Sequence, residues 1–342
     1  MSQNAMQLKP MEIGDVIDYS IEAYKSNFKI LSLLALVLYI PWTFIYSFIS
    51  GDIMGAQVYS FLNLFSGGFL GETITNIPPL EELQNSDTSY GVLPSFVCSA
   101  LQFIYNMTIQ LVFNTAIIKI IYDFVVKGNK YTAQFSSVKR IITHSFSYLP
   151  KMIGNAALYY LVFIGIYIGS FIVGSIVGMV PAFITASFVP NSIIAGGVSL
   201  FFIFIALIIV IFSLVFFWVK FVFGANAVVN EGKSVFQSVS RSFELSKGKF
   251  WHITMSSFFA AILFLILGNI LLAASAFGML VSQMLYVILY SIAQIISALL
   301  YPLMLTFITI LFINMKVKKE GLDLEQKFDS LNEIQEMERV YV

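Results

Sequence analysis

Cysteine, histidine and charge are all scarce in this chain of 342 residues. Cys98 is the only cysteine, so an internal disulfide and a cysteine-based metal cluster are excluded. The two histidines, His144 and His252, sit beside basic residues at the edges of apolar runs, and no Gly-x-Ser-x-Gly elbow occurs. A serine–histidine couple acting inside a membrane therefore lacks its parts. There is no zinc-ligand spacing and no Gly-Lys-Ser/Thr phosphate loop. No cofactor, metal site or catalytic residue is implied, and an enzyme is not expected. Charged residues make up 11% of the chain, against roughly 25% in soluble domains. Acidic and basic residues balance at 19 each, which gives nucleic acid no electrostatic foothold.

What the chain does have is apolar length. Hydrophobic residues reach 58%, and the mean hydropathy is +0.85. No Asp, Glu, Lys or Arg occurs between Met152 and Val219, or between Phe250 and Met315. A membrane helix takes about 20 apolar residues, so each of these stretches holds two. Adding Ile30–Gly51 and Ser89–Ile118 predicts an all-α integral membrane protein of about six spans, near residues 30–50, 94–118, 154–178, 195–219, 253–275 and 284–312. Turns are expected near Pro181–Asn191 and Ala276–Gln283. The membrane domain at 30–315 then lies between an amphipathic N-terminal helix at 1–29 and an acidic tail at 316–342. An outer loop covers 51–92, and its apolar, Gly-rich part at 56–70 reads as interfacial or re-entrant. The first apolar run follows a polar stretch bearing Glu12, Asp15, Asp18 and Glu22, unlike a cleavable signal, so the first span should be retained.

Lys and Arg mark the cytoplasmic side of a membrane protein. All 19 fall in four places: before span one, between spans two and three, between spans four and five, and after span six. The three outer connections have none, and the largest carries Asp52, Glu72, Glu81, Glu82 and Asp87. This pattern predicts a multi-pass protein with both termini in the cytoplasm.

Each odd-numbered span is preceded by an amphipathic segment: Ile13, Val16, Ile17, Tyr24 and Phe28 on one face of the first; Val138, Ile141, Ile142, Tyr148, Leu149 and Met152 at helical spacing in the second; Val235, Phe236, Val239 and Phe243 in the third. Ser234 and Gln237 have the spacing of a capping box. Each segment ends in a basic, aromatic patch, at residues 25–29, 148–151 and 247–251. The unit of interfacial helix, span, outer turn and span recurs at roughly 110-residue spacing, a possible threefold repeat.

Three stretches carry a family resemblance: LKPMEIGDVIDYSIEAYKSNFKIL at 8–31, NEGKSVFQSVSRSFELSKGKFWHI at 230–253 and FINMKVKKEGLDLE at 312–325. Together they resemble the membrane-domain family named after glycerophosphoryl diester phosphodiesterase. In that family the membrane domain can be fused to a soluble phosphodiesterase domain, and many members stand alone. The resemblance implies a stand-alone member in a bacterial cytoplasmic membrane. A phosphodiesterase barrel would need a His-Arg-Gly start and clustered metal-binding carboxylates, which this sequence lacks.

No Asp, Glu, Lys or Arg lies in the middle of a span, which argues against proton coupling. Span two is unusual, because Gln102, Asn106, Gln110 and Asn114 recur every four residues. Amides in that number are costly against lipid. They face either other helices, as interhelical hydrogen bonds, or a polar groove for a headgroup or solute. In span three, Gly165/Gly169 and Gly174/Gly178 are small-xxx-small pairs suited to close helix packing. Pro302 is expected to kink span six. Lys25, Lys29, Lys151, Lys247, Lys249 and Trp251 are the candidate headgroup contacts, placed where lysines snorkel and aromatic rings settle. Leu324, Phe328, Leu331, Ile334 and Met337 share a face of the tail, which could dock on the bundle or on a membrane or cytoplasmic protein partner. The expected function is a non-catalytic, lipid-associated membrane protein that binds or organises lipid or scaffolds a partner. The alternative is a permease for a neutral or lipophilic solute.

Overall fold

The computed structural model describes residues 9–50, 93–188, 192–279, 281–322 and 324. The outer loop at 51–92, its 56–70 segment and the tail helix beyond Leu324 lie outside the described residues. Among the described residues there is no strand, and six helical segments are long and apolar enough to cross a membrane. The chain is an all-α membrane protein.

The helices are α1 (Ile13–Ser26), α2 (Phe28–Leu38), α3 (Ile40–Ile49), α4 (Ser95–Met107), α5 (Ile109–Lys127), α6 (Phe135–Phe146), α7 (Leu149–Phe188), α8 (Ser192–Phe221), α9 (Gly224–Glu231), α10 (Val235–Ser246), α11 (Phe250–Met279) and α12 (Gln283–Glu320). The first span is α2 with α3, interrupted at Tyr39 just ahead of Pro41. Proline lacks the N–H that would continue the ladder and suits the first turn of a new helix. The second span is α4 with α5, interrupted at Thr108, whose hydroxyl donates back to the Ile104 carbonyl at 2.7 Å. Such back-bonding bends helices. Helices α7, α8, α11 and α12 supply the remaining spans. Helix α7 runs on through Pro181 to Phe188. Pro302 lies inside α12; beside it the Leu299 carbonyl accepts the Tyr24 hydroxyl at 2.7 Å.

The short helices α1, α6 and α10 each lead directly into a span. In α6 the buried residues are Val138, Ile141 and Ser145. In α10 the phenylalanines of the apolar stripe are not the buried residues, while Val235 packs toward Gly154 of α7. Ser238, Ser242, Leu245 and Ser246 are buried, whereas Phe236 is 79% exposed and Phe243 also faces outward. The serines are small enough to let helices approach. Ser238 donates to Asn155 Oδ1 at 3.0 Å, and Ser242 donates to the Lys220 carbonyl at 2.6 Å while accepting the Phe223 N–H at 3.1 Å. Against a membrane surface the outer face is the natural place for phenylalanine.

The chain divides into two compact units: Met1–Ala5, Ile17–Ser147 and Phe259–Phe307 in one, and Met6–Val16, Tyr148–Phe258 and Ile308–Val342 in the other. In the first, α5 is buried along most of its length, with Phe113, Ile117 and Ile121 fully enclosed. In the second, α7 and α8 form a hairpin whose outer surface is apolar, with Leu161, Tyr167, Phe171, Leu200 and Phe201 exposed. A protein in water would have to hide such a surface; in a bilayer it meets acyl chains.

In the second unit the chain approaches closely at Gly154, where an added Cβ would lie 2.8 Å from Val235 Cγ2, and most closely at Gly224. A Cβ on Gly224 would fall 1.7 Å from the Tyr159 hydroxyl, which donates to the Phe221 carbonyl at 2.6 Å. Around Gly165 and Gly169 a Cβ meets nothing within 4 Å. Gly224→Ala is therefore expected to destabilise by roughly 1–3 kcal/mol through overpacking. Gly165→Ala and Gly169→Ala should be neutral or slightly stabilising, since alanine is the better helix former. Thermal unfolding in one detergent, compared across the three variants, checks the ranking.

Candidate functional site

The four amides of span two each meet a specific partner in the first unit. The Trp42 indole N–H donates to Gln102 Oε1 at 2.9 Å, and Gln102 Nε2 donates to Asn106 Oδ1 at 2.8 Å. Further along, Gln110 Nε2 donates to the Tyr301 hydroxyl at 3.1 Å, and that hydroxyl donates to Asn114 Oδ1 at 3.1 Å. The chain of bonds therefore links α4 to α3 and α5 to α12. Aromatic rings line it. Tyr39 stacks on Tyr301 at 4.9 Å and on Phe113 at 5.5 Å, while Trp42 stacks on Tyr105 at 4.8 Å. The Tyr105 hydroxyl donates to the carbonyl of Leu38, the last residue of α2, at 3.1 Å. The helix break before Pro41 thus leaves a carbonyl that a tyrosine from span two occupies. Interhelical bonds of this kind contribute roughly 0.6–1.7 kcal/mol each in a membrane.

The candidate headgroup contacts lie at helix ends. Lys25 and Lys29 flank the α1–α2 junction, Lys151 is in the first turn of α7, and Lys247 and Lys249 join α10 to α11. All five lysines are exposed, and Trp251 is 66% exposed. Lys151 Nζ also donates to the Gly232 carbonyl at 3.1 Å. The positive φ of Gly248, 76°, turns the chain between Lys247 and Lys249. Of the second glycine pair in span three, a Cβ added at Gly174 would lie 4.0 Å from Ala206 Cβ, an ordinary packing contact between α7 and α8. The surroundings of Gly178 lie outside the described residues. His252 lies within 3.3 Å of Asn314 and 3.4 Å of Lys318. Among the described residues no group of His, Cys, Asp and Glu is placed to hold a metal ion.

Two polar clusters have no counterpart among the residues singled out by sequence. In the second unit the Arg241 guanidinium grips Glu231 with both prongs, at 2.8 and 3.1 Å. It also reaches Glu244 at 3.0 Å and contacts Glu320, and Lys316 meets Glu231 at 3.1 Å. Burial opposes the charge on Arg241, but Glu231, Glu244 and Glu320 outweigh it and hold its pKa above the usual value. Nothing in the spacing of 231, 241 and 320 marks this knot, because it joins α9, α10 and the end of α12 through tertiary packing. In the first unit Asp123 pairs with Lys127 at 2.9 Å and Lys119 at 3.4 Å, and its Oδ2 accepts the Tyr131 hydroxyl at 2.7 Å. The i±4 spacing of those two lysines was the available signal.

Tyr301→Phe keeps the stack but removes the hydroxyl shared by Gln110 and Asn114, and should cost about 1–2 kcal/mol. A double-mutant cycle with Asn114→Leu should show coupling between the two sites, and additive losses would mean the bond contributes nothing. Arg241→Gln leaves the largely buried Glu231 beside a single lysine and should cost roughly 2–3 kcal/mol; Glu231→Gln added to it should recover part of the loss, read from the melting midpoint.

No family model, no curated protein and no solved structure matches this chain.

Proposed function

We propose that this chain is a non-catalytic membrane protein that binds anionic lipid through basic, aromatic collars on the cytoplasmic face of a bacterial membrane. The observation carrying it is the outward placement of Lys25, Lys29, Lys151, Lys247, Lys249 and Trp251 at the ends of helices leading into spans. Phe28, Phe236 and Phe243 are exposed as well. An aromatic ring at headgroup depth and a lysine reaching for phosphate are complementary in such a setting. Each basic residue near an anionic surface contributes about 1 kcal/mol.

The distribution of Lys and Arg supports cytoplasmic termini. The family resemblance in the terminal and 230–253 segments is in keeping with a membrane module. A partner scaffolded by the C-terminal tail is compatible with this reading. Transport past the span-two amides has less support, because Gln102, Asn106, Gln110 and Asn114 are engaged with Trp42, Tyr301 and each other.

Native mass spectrometry on protein extracted in a mild detergent tests the proposal. The wild type should retain anionic phospholipid in preference to phosphatidylcholine. Lys247→Glu with Lys249→Glu should reduce that retention at least tenfold, while Asn106→Ala should leave it unchanged. A protein stripped of lipid at low energy, together with liposome flux that Asn106→Ala abolishes, would replace the lipid reading with the permease.

A further inference from the structure

We infer that the cleft between the end of α5, the turn after it and α6 is a binding site for a phosphate ester. Two adjoining hollows form it, of about 160 Å³ and about 320 Å³, and both are lined by Tyr131 and Arg140. Either is several times the roughly 30 Å³ that one water occupies in the liquid. Lys119 and His144 complete the first, and Lys130, Thr132 and Ser137 complete the second.

The charge in this cleft is unbalanced. Lys119, Lys130 and Arg140 line the two hollows, no acidic residue is among their described lining, and the acid nearest in sequence is Asp123. Asp123 is already engaged by Lys127, Lys119 and Tyr131. Arg140 and Lys130 make no ion pair among the described residues. Two cations therefore face a shared hollow. A phosphate monoester, carrying about −1.5 to −2 at neutral pH, matches that pair. Arginine's planar fork engages phosphate oxygens bidentately, and lysine adds a point charge. The hydroxyls of Thr132 and Ser137, 3.3 Å apart, share one hydrogen bond and leave one proton as a further donor.

The cleft is held in shape by the chain itself. Gly128 adopts φ 65° and ends α5, so the chain turns back toward α6. Tyr131 is anchored across the turn by its bond to Asp123. Burial, reinforced by that bond, pushes its pKa up to about 12, so it stays protonated and keeps its one proton on Asp123. The first turn of α6 has no side-chain cap, and its partial positive charge adds to the field of the two cations. Phe135 and Phe146 are exposed at the two ends of α6, so acyl chains could lie beside a headgroup held in the cleft. The ester could equally be a soluble metabolite, and the chemistry of recognition is shared.

The inference deepens the lipid-binding reading by naming one site and its chemistry, yet it can fail alone, because Lys247 and Lys249 belong to a different part of the chain. Full-length protein in phosphatidylcholine nanodiscs would be titrated calorimetrically with dihexanoyl phosphatidic acid and with glycerol 3-phosphate. Wild type should bind at least one of them. Arg140→Gln with Lys130→Gln should weaken binding at least tenfold, Arg140→Lys should fall between, and Lys247→Gln with Lys249→Gln should change it less than twofold. Preference for the lipid assigns a headgroup site, and equal binding assigns a soluble phosphate ester. A ligand-induced rise in melting temperature, present in wild type and absent in the Arg140/Lys130 variant, checks that the variant is folded and the site lost. No binding of either probe by wild type, or an undiminished affinity in that variant, overturns the inference. Collar retention of lipid surviving such a failure would leave the broader reading standing.

Discussion

Inside a bilayer a polar side chain has only the protein to bond with, and the second span places four carboxamides under that constraint. Much of the first unit can be understood as the answer. Trp42 comes in from α3 and Tyr301 from α12, and each brings both a ring for stacking and a polar tip for hydrogen bonding. Aromatic residues with one wet end serve both needs at once. The break at Tyr39 fits the same logic, since Tyr105 takes up the Leu38 carbonyl at that point.

The second unit solves a different problem. Its spans carry no amide ladder of that length, and its polar bonding gathers at the short helices α9 and α10. The Arg241 knot and the serine face of α10 fasten these helices to the span ends. With the acidic groups drawn into that knot, Lys247 and Lys249 are left facing outward. Internal neutralisation and external charge are thus two sides of one arrangement.

The six spans were legible because hydropathy and length alone dictate them, and the short leading helices because their apolar residues recur at helical spacing. What α10 buries was not legible. Phe236 and Phe243 look like core residues by hydrophobicity, yet serines fill the interior because a membrane protein has two apolar surroundings and periodicity does not distinguish them. The amide stripe was visible as a stripe; that its partners would be Trp42 and Tyr301 was not, since sequence separations of 60 and 191 leave no local trace. For Asp123 the lysines four residues either side left a local signal that went unread, while its bond to Tyr131 depended on the turn at Gly128.

The placement of two of the three tryptophans has an optical consequence. Trp42 is stacked and hydrogen-bonded inside the first unit, whereas Trp251 stands largely exposed at the start of α11. Their indoles therefore sit in environments of different polarity and rigidity. With Trp218 of α8 replaced by phenylalanine, emission from Trp42 reports on the contact between the first two spans and quenching of Trp251 on the exposure of the α11 start, so one unlabelled protein carries its own probes of interior and boundary.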